Sequence, residues 1–259
     1  MARKRQEVLD LLLERHGRTF AAQLGIDLDR DGQDGLFRLL VASLLMSARI
    51  PTDIALAAAS VLFDRGYTSA QRMLEASWQD RVDALGEGGY VRYDESTATY
   101  LEQTAQLLLD RYDGDLQGLR AAADGDPDRI QQLVQECKGI GRVGAAIFCR
   151  EAQMVWPELQ PFADEAALAV AAQLDLPTST RQLAGVYGDD DLSLLTAALV
   201  RAKLENDIEA VRTGQVEAPT DTQVARMRRD ELYELAQRLQ IPNRSTMTRG
   251  ELAEALLEQ

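Results

Sequence analysis

The residues from Leu133 to Arg150 read LVQECKGIGRVGAAIFCR, which is two helix-forming runs joined by a short bend that contains glycine. Gly139 and Gly141 permit positive φ and carry no side chain that would keep a ligand away from the backbone. We expect Ile140 to point inward and fix the bend. The amides that open the second helix then have no intrahelical acceptor, and together with the helix dipole they favour a bound phosphate.

The amides of Gly141, Arg142 and Val143 form this predicted phosphate site, and Lys138 and Arg142 add positive charge beside it. Gly144 is expected to let the two helices approach closely. The other interpretation is an ordinary helix–turn–helix in which the glycines serve only as helix caps, and the bend alone does not decide between the two.

Composition excludes several other kinds of catalytic centre. The 259 residues include two cysteines, Cys137 and Cys149, and one histidine, His16. Two thiols cannot supply a four-thiolate zinc or iron–sulfur site, and they exclude a disulfide framework. A single histidine argues against a multi-histidine metal site and a Ser–His–Asp enzyme. Because lysine is rare, a Schiff-base mechanism has few candidate side chains.

The charge balance limits how the chain can meet nucleic acid. There are 42 acidic and 28 basic residues, which gives a net charge of −14. A uniformly basic surface that binds nucleic acid non-specifically is thereby excluded. Any DNA contact must therefore be local and must use backbone amides and a few arginines. No apolar run reaches the roughly 18 residues of a membrane helix. The first residues read as a helix and not as a signal peptide, so we expect a cytoplasmic protein with reduced thiols.

Helices are the elements that must position the bend. Alanine and leucine dominate the apolar content, aromatic residues make up 5%, and no stretch alternates as a strand does, so the sequence predicts an all-α fold. The longer helices are predicted over residues 36–49, 52–63, 96–112, 127–137, 142–152, from 164 onward, and 191–213.

Four segments, in this order, resemble landmarks of the helix-hairpin-helix DNA glycosylase superfamily, in particular its endonuclease III-like branch. They are LLVASLLMSARIPTD, GYVRYDESTATYL, ECKGIGRVGAA and PFADEAALAV, and the match runs from about residue 36 to 174. The resemblance implies a two-lobed all-α domain over residues 1–213. The central lobe spans about 35–160, and a second lobe combines 1–34 with 161–213. Double-stranded DNA would cross the cleft with a damaged or mismatched nucleotide flipped into a pocket.

The resemblance also implies roles for single residues. Asp164 matches the catalytic aspartate, whose carboxylate stabilises positive charge on the sugar and orients water; a plain helix N-cap is the alternative. Bifunctional members carry a nucleophilic lysine where this chain has Val143, so the resemblance implies a monofunctional glycosylase. The family's cluster cysteines are absent, so no iron–sulfur cluster is expected. Some relatives hold a monovalent cation on the hairpin carbonyls, and the sequence leaves that ion open.

Four further residues are candidates for contact with DNA or a flipped base, and each also fits an ordinary structural position. Arg49 occupies the position of the glutamine that often fills the gap left by the flipped base, where arginine can stack or contact phosphate. It can equally be a surface arginine at a helix end. Tyr90, Tyr93 and Phe162 are aromatic candidates for base stacking, and each fits a core position as well.

The carboxy-terminal residues form a separate predicted module. GQVEAPTDT, within a predicted linker over 214–223, separates the glycosylase-like domain from residues 224–259. The module reads as a helix over 229–239, a turn, and a helix over 248–257, and it resembles SAP-like and Rho amino-terminal-like modules. These bind nucleic acid through basic residues, which here are Arg228, Arg229, Arg244 and Arg249. A module that docks a protein partner is the alternative.

The sequence leaves three functions open. The first and leading one is base excision repair by a DNA N-glycosylase on a lesion the sequence does not specify. Its oligomeric state is also left open, with a monomer favoured. The second is a non-catalytic DNA-structure binder of the same fold, and the third is a partner-binding scaffold with no DNA role.

Overall fold

The computed structural model describes residues 2–187, 192–214, 221–239 and 241–258, and these ranges contain helices and no strand, which confirms the all-α fold. The α-helices are α1 (Ala2–His16), α2 (Phe20–Gln23), α3 (Gly32–Met46), α4 (Thr52–Asp64), α5 (Ala70–Glu75), α6 (Trp78–Glu87), α7 (Asp94–Tyr112), α8 (Leu116–Ala122), α9 (Pro127–Gln135), α10 (Arg142–Ala152), α11 (Glu165–Gln173), α12 (Thr180–Tyr187), α13 (Leu192–Leu204), α14 (Ile208–Thr213), α15 (Asp221–Arg226), α16 (Arg229–Arg238) and α17 (Arg249–Leu257). Pro157–Leu159 and Arg244–Thr246 form 3₁₀ turns.

The chain divides into two compact units, residues 1–205 and 206–259. The single helix predicted over 191–213 is wrong, because α13 ends at Leu204 and α14 begins at Ile208. Asn206 lies between them with φ of +57°, a left-handed conformation that ends helices and that asparagine tolerates. Asp191, where that helix was predicted to start, lies outside the described residues.

The predicted linker over 214–223 is helical in part. Gly214 ends α14 with φ of +74°, and α15 already begins at Asp221. Residues 215–220 of the predicted linker lie outside the described residues.

The first unit is built around α3. Residues 35–37 and 39–45 are all buried and Arg38 is partly exposed, as the nearly continuous apolar sequence of this segment predicts. α3 packs on α4, α8 and α10, and α10 also packs on α9 and α13. Gly88, just after α6, lies so close to α4 that a Cβ atom would come within 2.3 Å of the Ala58 Cα atom. These contacts hold α10, the helix that follows the glycine bend, between the core and α13.

The second unit has a small core of its own. Its buried members come from α15, α16, α17 and the turn before the second 3₁₀ segment, and they are Val224, Leu232, Ala236, Ile241, Leu252 and Leu256. Thr248 and Glu251 form a capping box that starts α17, so local sequence signals and burial specify the same helix.

The search for membrane-crossing segments found, within the described residues, no helix that combines the required length with a sufficiently apolar composition.

Both cysteines belong to the core of the first unit. Cys137 and Cys149 are at most 1% exposed. Burial raises the pKa of the Cys137 thiol to about 12, and burial does the same to the pKa of the Cys149 thiol, again to about 12. The reactive thiolate is therefore scarce at neutral pH.

We predict that iodoacetamide at pH 8 modifies neither cysteine of the folded protein during a period in which a free thiol reacts completely. Both should react once denaturant exposes them, and mass spectrometry of the intact chain reads out the result. Rapid alkylation of the folded protein would contradict the burial of these thiols.

Candidate active site

The glycine bend is a tight connection between α9 and α10. Gly139 has φ of +85°, and a Cβ atom on it would lie 2.8 Å from the Cδ2 atom of Tyr100. Both the backbone conformation and the space therefore require glycine here, as the sequence predicts. Ile140 is 4% exposed and faces the core, which fixes the bend.

The other two glycines act differently from the expectation. Gly141 has φ of −95°, so the predicted positive φ is wrong for this residue, and a Cβ atom on it would meet no atom within 4 Å. Open space here leaves the backbone accessible to a ligand. A Cβ atom on Gly144 would lie 3.1 Å from Ile140 Cγ2 and 3.2 Å from Ser47 Cβ. Gly144 thus allows α10 to approach the end of α3, and not α9 as expected.

The start of α10 offers unpaired amides. The Gly141 carbonyl accepts the first hydrogen bond of the helix, from Ala145, and no side chain in the described part of the chain caps this end. Lys138 and Arg142 are exposed, and Val143 is 64% exposed. Exposed amides at a helix start with two nearby cations form a surface suited to an anion.

The hairpin carbonyls are partly engaged within the protein. The Lys138 carbonyl accepts a hydrogen bond from Thr104 Oγ1 at 3.1 Å, and the Cys137 carbonyl accepts one from the Ile140 amide at 3.0 Å. A monovalent cation here would have to share these oxygens, and the question of that ion stays open.

A cavity of about 480 Å³ opens beside α10. Besides Arg142 at its start, α10 contributes Val143, Ala146, Ile147 and Arg150 to the wall, and these four share one helix face at the spacing i, i+3, i+4, i+7. Asp164 lines the same cavity. The remaining lining residues are Phe20, Met46, Thr52, Gln131, Phe162, Ala163, Glu165, Ala166, Val200 and Leu204.

Asp164 is the N-cap of α11 and is also half of a buried ion pair. Its Oδ1 atom accepts a hydrogen bond from the Ala167 amide at 2.8 Å, and its Oδ2 atom accepts one from Arg150 Nη1 at 2.6 Å. The two side chains are 6% and 3% exposed. The carboxylate therefore lies at the cavity with a guanidinium beside it, which sequence reasoning missed. The helical spacing from Val143 to Arg150 was the signal that places Arg150 on this wall.

A second buried acid fixes the part of the wall that Phe20 forms. The Glu151 carboxylate accepts hydrogen bonds from the Phe20 and Ala21 amides, both at 2.7 Å. Burial raises the pKa of Glu151, although the nearby Arg150 and the two amides favour its charged form. These bonds attach the start of α2 to α10. The Phe20 ring is thereby held between Arg150, whose Cζ lies 5.3 Å from the ring centroid, and Arg201, at 4.2 Å.

The mouth of the cavity carries an exposed ion pair. Arg142, the first residue of α10, pairs with Glu165, the first residue of α11, and their side chains are 79% and 83% exposed. Such exposed pairs contribute between about zero and 1 kcal/mol, so Arg142 can exchange Glu165 for another anion at little cost.

Of Arg49 and the three aromatic candidates, only one residue lies on the cavity wall. Arg49 is exposed in the turn after α3 and does not line the cavity. Tyr90 is fully buried in the core, and Tyr93 is half-buried. Of the three aromatic candidates, Phe162 alone lines the cavity.

Three of the four arginines predicted to contact phosphate in the second unit are tied to that unit's own backbone. They donate to carbonyl oxygens as follows: Arg229 to Met247 at 3.0 Å, Arg244 to Ile241 at 3.0 Å, and Arg249 to Met227 at 2.9 Å and Ala225 at 3.1 Å. Arg228 is 76% exposed, and its Nη2 atom lies 3.7 Å from both Asp230 and Glu231. The arginines thus hold the module together, and their contact with phosphate stays a prediction.

Residues 224–259 match the family described as the Rho termination factor, N-terminal domain. This finding confirms the resemblance of the carboxy-terminal module to Rho amino-terminal-like modules. Comparison with curated proteins gave no match, and comparison with solved structures gave none either. The resemblance of residues 36–174 to the glycosylases stays a prediction.

The contrast between Gly139 and Gly141 gives a paired test of the bend. We expect Gly139→Ala to lower the free energy of unfolding by about 1–3 kcal/mol, because a side chain is strained at its φ and contacts Tyr100. Gly141→Ala should change it by no more than about 0.5 kcal/mol, because its Cβ enters open space. Urea unfolding followed by circular dichroism measures both. Equal effects of the two substitutions would contradict this geometry.

Proposed function

We propose that the first unit is a monofunctional DNA N-glycosylase, which hydrolyses the bond between deoxyribose and a base flipped out of double-stranded DNA. One observation carries the proposal: the exposed start of α10, with Val143, and the carboxylate of Asp164 line the same cavity. The resemblance to helix-hairpin-helix glycosylases requires this juxtaposition of the hairpin helix and an acid. The cavity volume also lies in the range of roughly 300–1,000 Å³ that small ligands occupy.

In the proposed reaction, the amides at the start of α10 and the Lys138 side chain hold the phosphate chain. The target nucleoside enters the cavity, and the Asp164 carboxylate lies near its sugar. Breaking the glycosidic bond develops positive charge on that sugar, which a fixed carboxylate stabilises. The same carboxylate can orient the attacking water. Val143 carries no amine, so no Schiff base forms and the product is an intact strand with an abasic site.

A non-catalytic DNA-structure binder is the second candidate, and the ion pair between Arg150 and Asp164 favours it. A guanidinium 2.6 Å from the carboxylate opposes the negative charge that would stabilise the sugar cation. On this alternative, the hairpin holds DNA and the acid serves only as a cap and a structural partner.

For the carboxy-terminal module we propose nucleic-acid binding in support of the first unit. The match to the Rho termination factor family supports this role. Residues 224–259 contain six arginines and six acidic residues, so their charge balances. We therefore expect a weak contribution that depends on shape and a few contacts and not on general attraction to phosphate.

Substitution of Asp164 separates the two candidates for the first unit. An enzyme should lose at least about 100-fold in single-turnover base excision on Asp164→Asn, while its DNA affinity stays within about threefold. Asp126→Asn is the matched control, because Asp126 caps α9 in the same way and lies outside the cavity. Excision that survives in Asp164→Asn would contradict the catalytic role, and absence of excision in all three proteins would favour the binder.

A lysine at position 143 tests the cavity without requiring excision. We expect Val143→Lys, incubated with a duplex that carries an abasic site, to give a covalent adduct with borohydride. The amine attacks the sugar aldehyde, water leaves, and the hydride reduces the imine. Wild type should give no adduct. Val91→Lys adds an equally exposed lysine outside the cavity; an equal yield from it would contradict the assignment of the cavity.

A further inference from the structure

The Arg150 side chain has a donor that the described part of the protein does not satisfy. Arg150 is 2% exposed and lines the cavity. Its Nη1 atom donates to Asp164, but its Nε atom is buried and has no hydrogen-bond partner among the described residues. An unpaired buried donor on a charged group is costly, and beside a cavity a bound ligand, water or ion is one arrangement that would satisfy it.

The protein holds this guanidinium in a defined position. Its Nη1 atom donates to Asp164, its Cζ atom lies over the Phe20 ring at 5.3 Å from the centroid, and the neighbouring Glu151 anchors the start of α2. A side chain that is fixed by both an ion pair and a ring is preorganised, so it loses little further conformational entropy when a ligand binds. The Nε–H group is therefore a fixed, unsatisfied donor in a side chain that lines the cavity.

The rest of the cavity offers few competing polar groups. Its walls are mainly apolar, with Met46, Ile147, Phe162, Val200 and Leu204 among the lining residues. The other charged pair, Arg142 with Glu165, is largely exposed. A planar ligand binds most tightly in this apolar space when its edge carries an acceptor for Arg150. A ligand with an N–H group at that edge would place two donors against each other.

We propose that Arg150 is the specificity-determining residue of the cavity and that it selects a base with a carbonyl oxygen where the unmodified base has an amino group. The substrate class is therefore deaminated bases. Replacing an amino group by a carbonyl converts a donor into an acceptor with almost no change of shape. A site that hydrogen-bonds one member of such a pair rejects the other strongly, because its buried polar group stays unpaired. The inference rests on the proposed function in one respect: a base must enter the cavity.

The test compares two matched pairs of bases, hypoxanthine with adenine and uracil with cytosine. Each is placed in one duplex sequence opposite a tetrahydrofuran spacer, so that no base is paired. Excision by the full-length protein is measured after alkali treatment. Binding is measured separately on duplexes whose nucleotide carries a 2′-fluorine, which resists cleavage. We expect excision to favour the carbonyl member by at least about 100-fold and binding to favour it by at least tenfold.

Two variants assign the preference to Arg150. In Arg150→Gln the amide oxygen can accept a hydrogen bond from an amino group. The ratio of excision of the carbonyl base to excision of the amino base should therefore fall to about one or reverse. Arg150→Lys keeps the positive charge next to Asp164 but lacks the Nε donor, so the ratio should fall at least tenfold in a protein that still folds. Arg120→Lys is the control, because Arg120 pairs with Glu158 outside the cavity and should keep the ratio. Melting temperatures are recorded for every variant.

The outcomes separate this inference from the proposed function. Carbonyl-selective binding without any excision would overturn the glycosylase and leave the role of Arg150 supported. Excision without preference for the carbonyl member would overturn the role of Arg150 and leave the glycosylase standing. A ratio that survives in both Arg150 variants would overturn the inference as well.

Discussion

The buried ion pair between Arg150 and Asp164 joins the helix after the glycine bend to the start of α11, and the cavity depends on it. Removing one member of such a pair typically costs about 3–5 kcal/mol, because the other charge is left buried without a partner. The same contact sets the chemistry of the cavity. It keeps a carboxylate beside the space for a ligand, and it brings a guanidinium with an unused donor to the same wall.

The proposed nucleic-acid site has to work on a protein with a net charge of −14. The charged groups at the cavity occur as arginine–acid pairs, Arg150 with Asp164 in the interior and Arg142 with Glu165 at the surface. The proposed phosphate contact uses backbone amides, whose dipoles persist whatever the total charge of the chain. On this proposal, the acidic surface limits nucleic-acid binding elsewhere and concentrates it at the bend.

Sequence periodicity predicted the all-α fold, the core position of α3 and the boundaries of α10, because apolar spacing and caps are local signals. The left-handed Gly139 and the buried Ile140 were predicted for the same reason. The break at Asn206, the conformation of Gly141 and the neighbour of Gly144 were not, because packing between distant segments decides them. The burial of Arg150 and its pairing with Asp164 were missed because a charged residue in a helix is usually a surface residue. The arginines of the second unit were read as phosphate contacts, since sequence does not show which carbonyls they bind.

The most direct measurement is a screen of duplex oligonucleotides, each with one modified or mismatched base, incubated with the purified full-length chain and then treated with alkali. If the cavity receives a flipped nucleoside and Asp164 faces its sugar, at least one duplex will be cut at the modified position after alkali and will remain intact without it. Retention of DNA binding with no alkali-sensitive site in any duplex would contradict catalysis at this cavity.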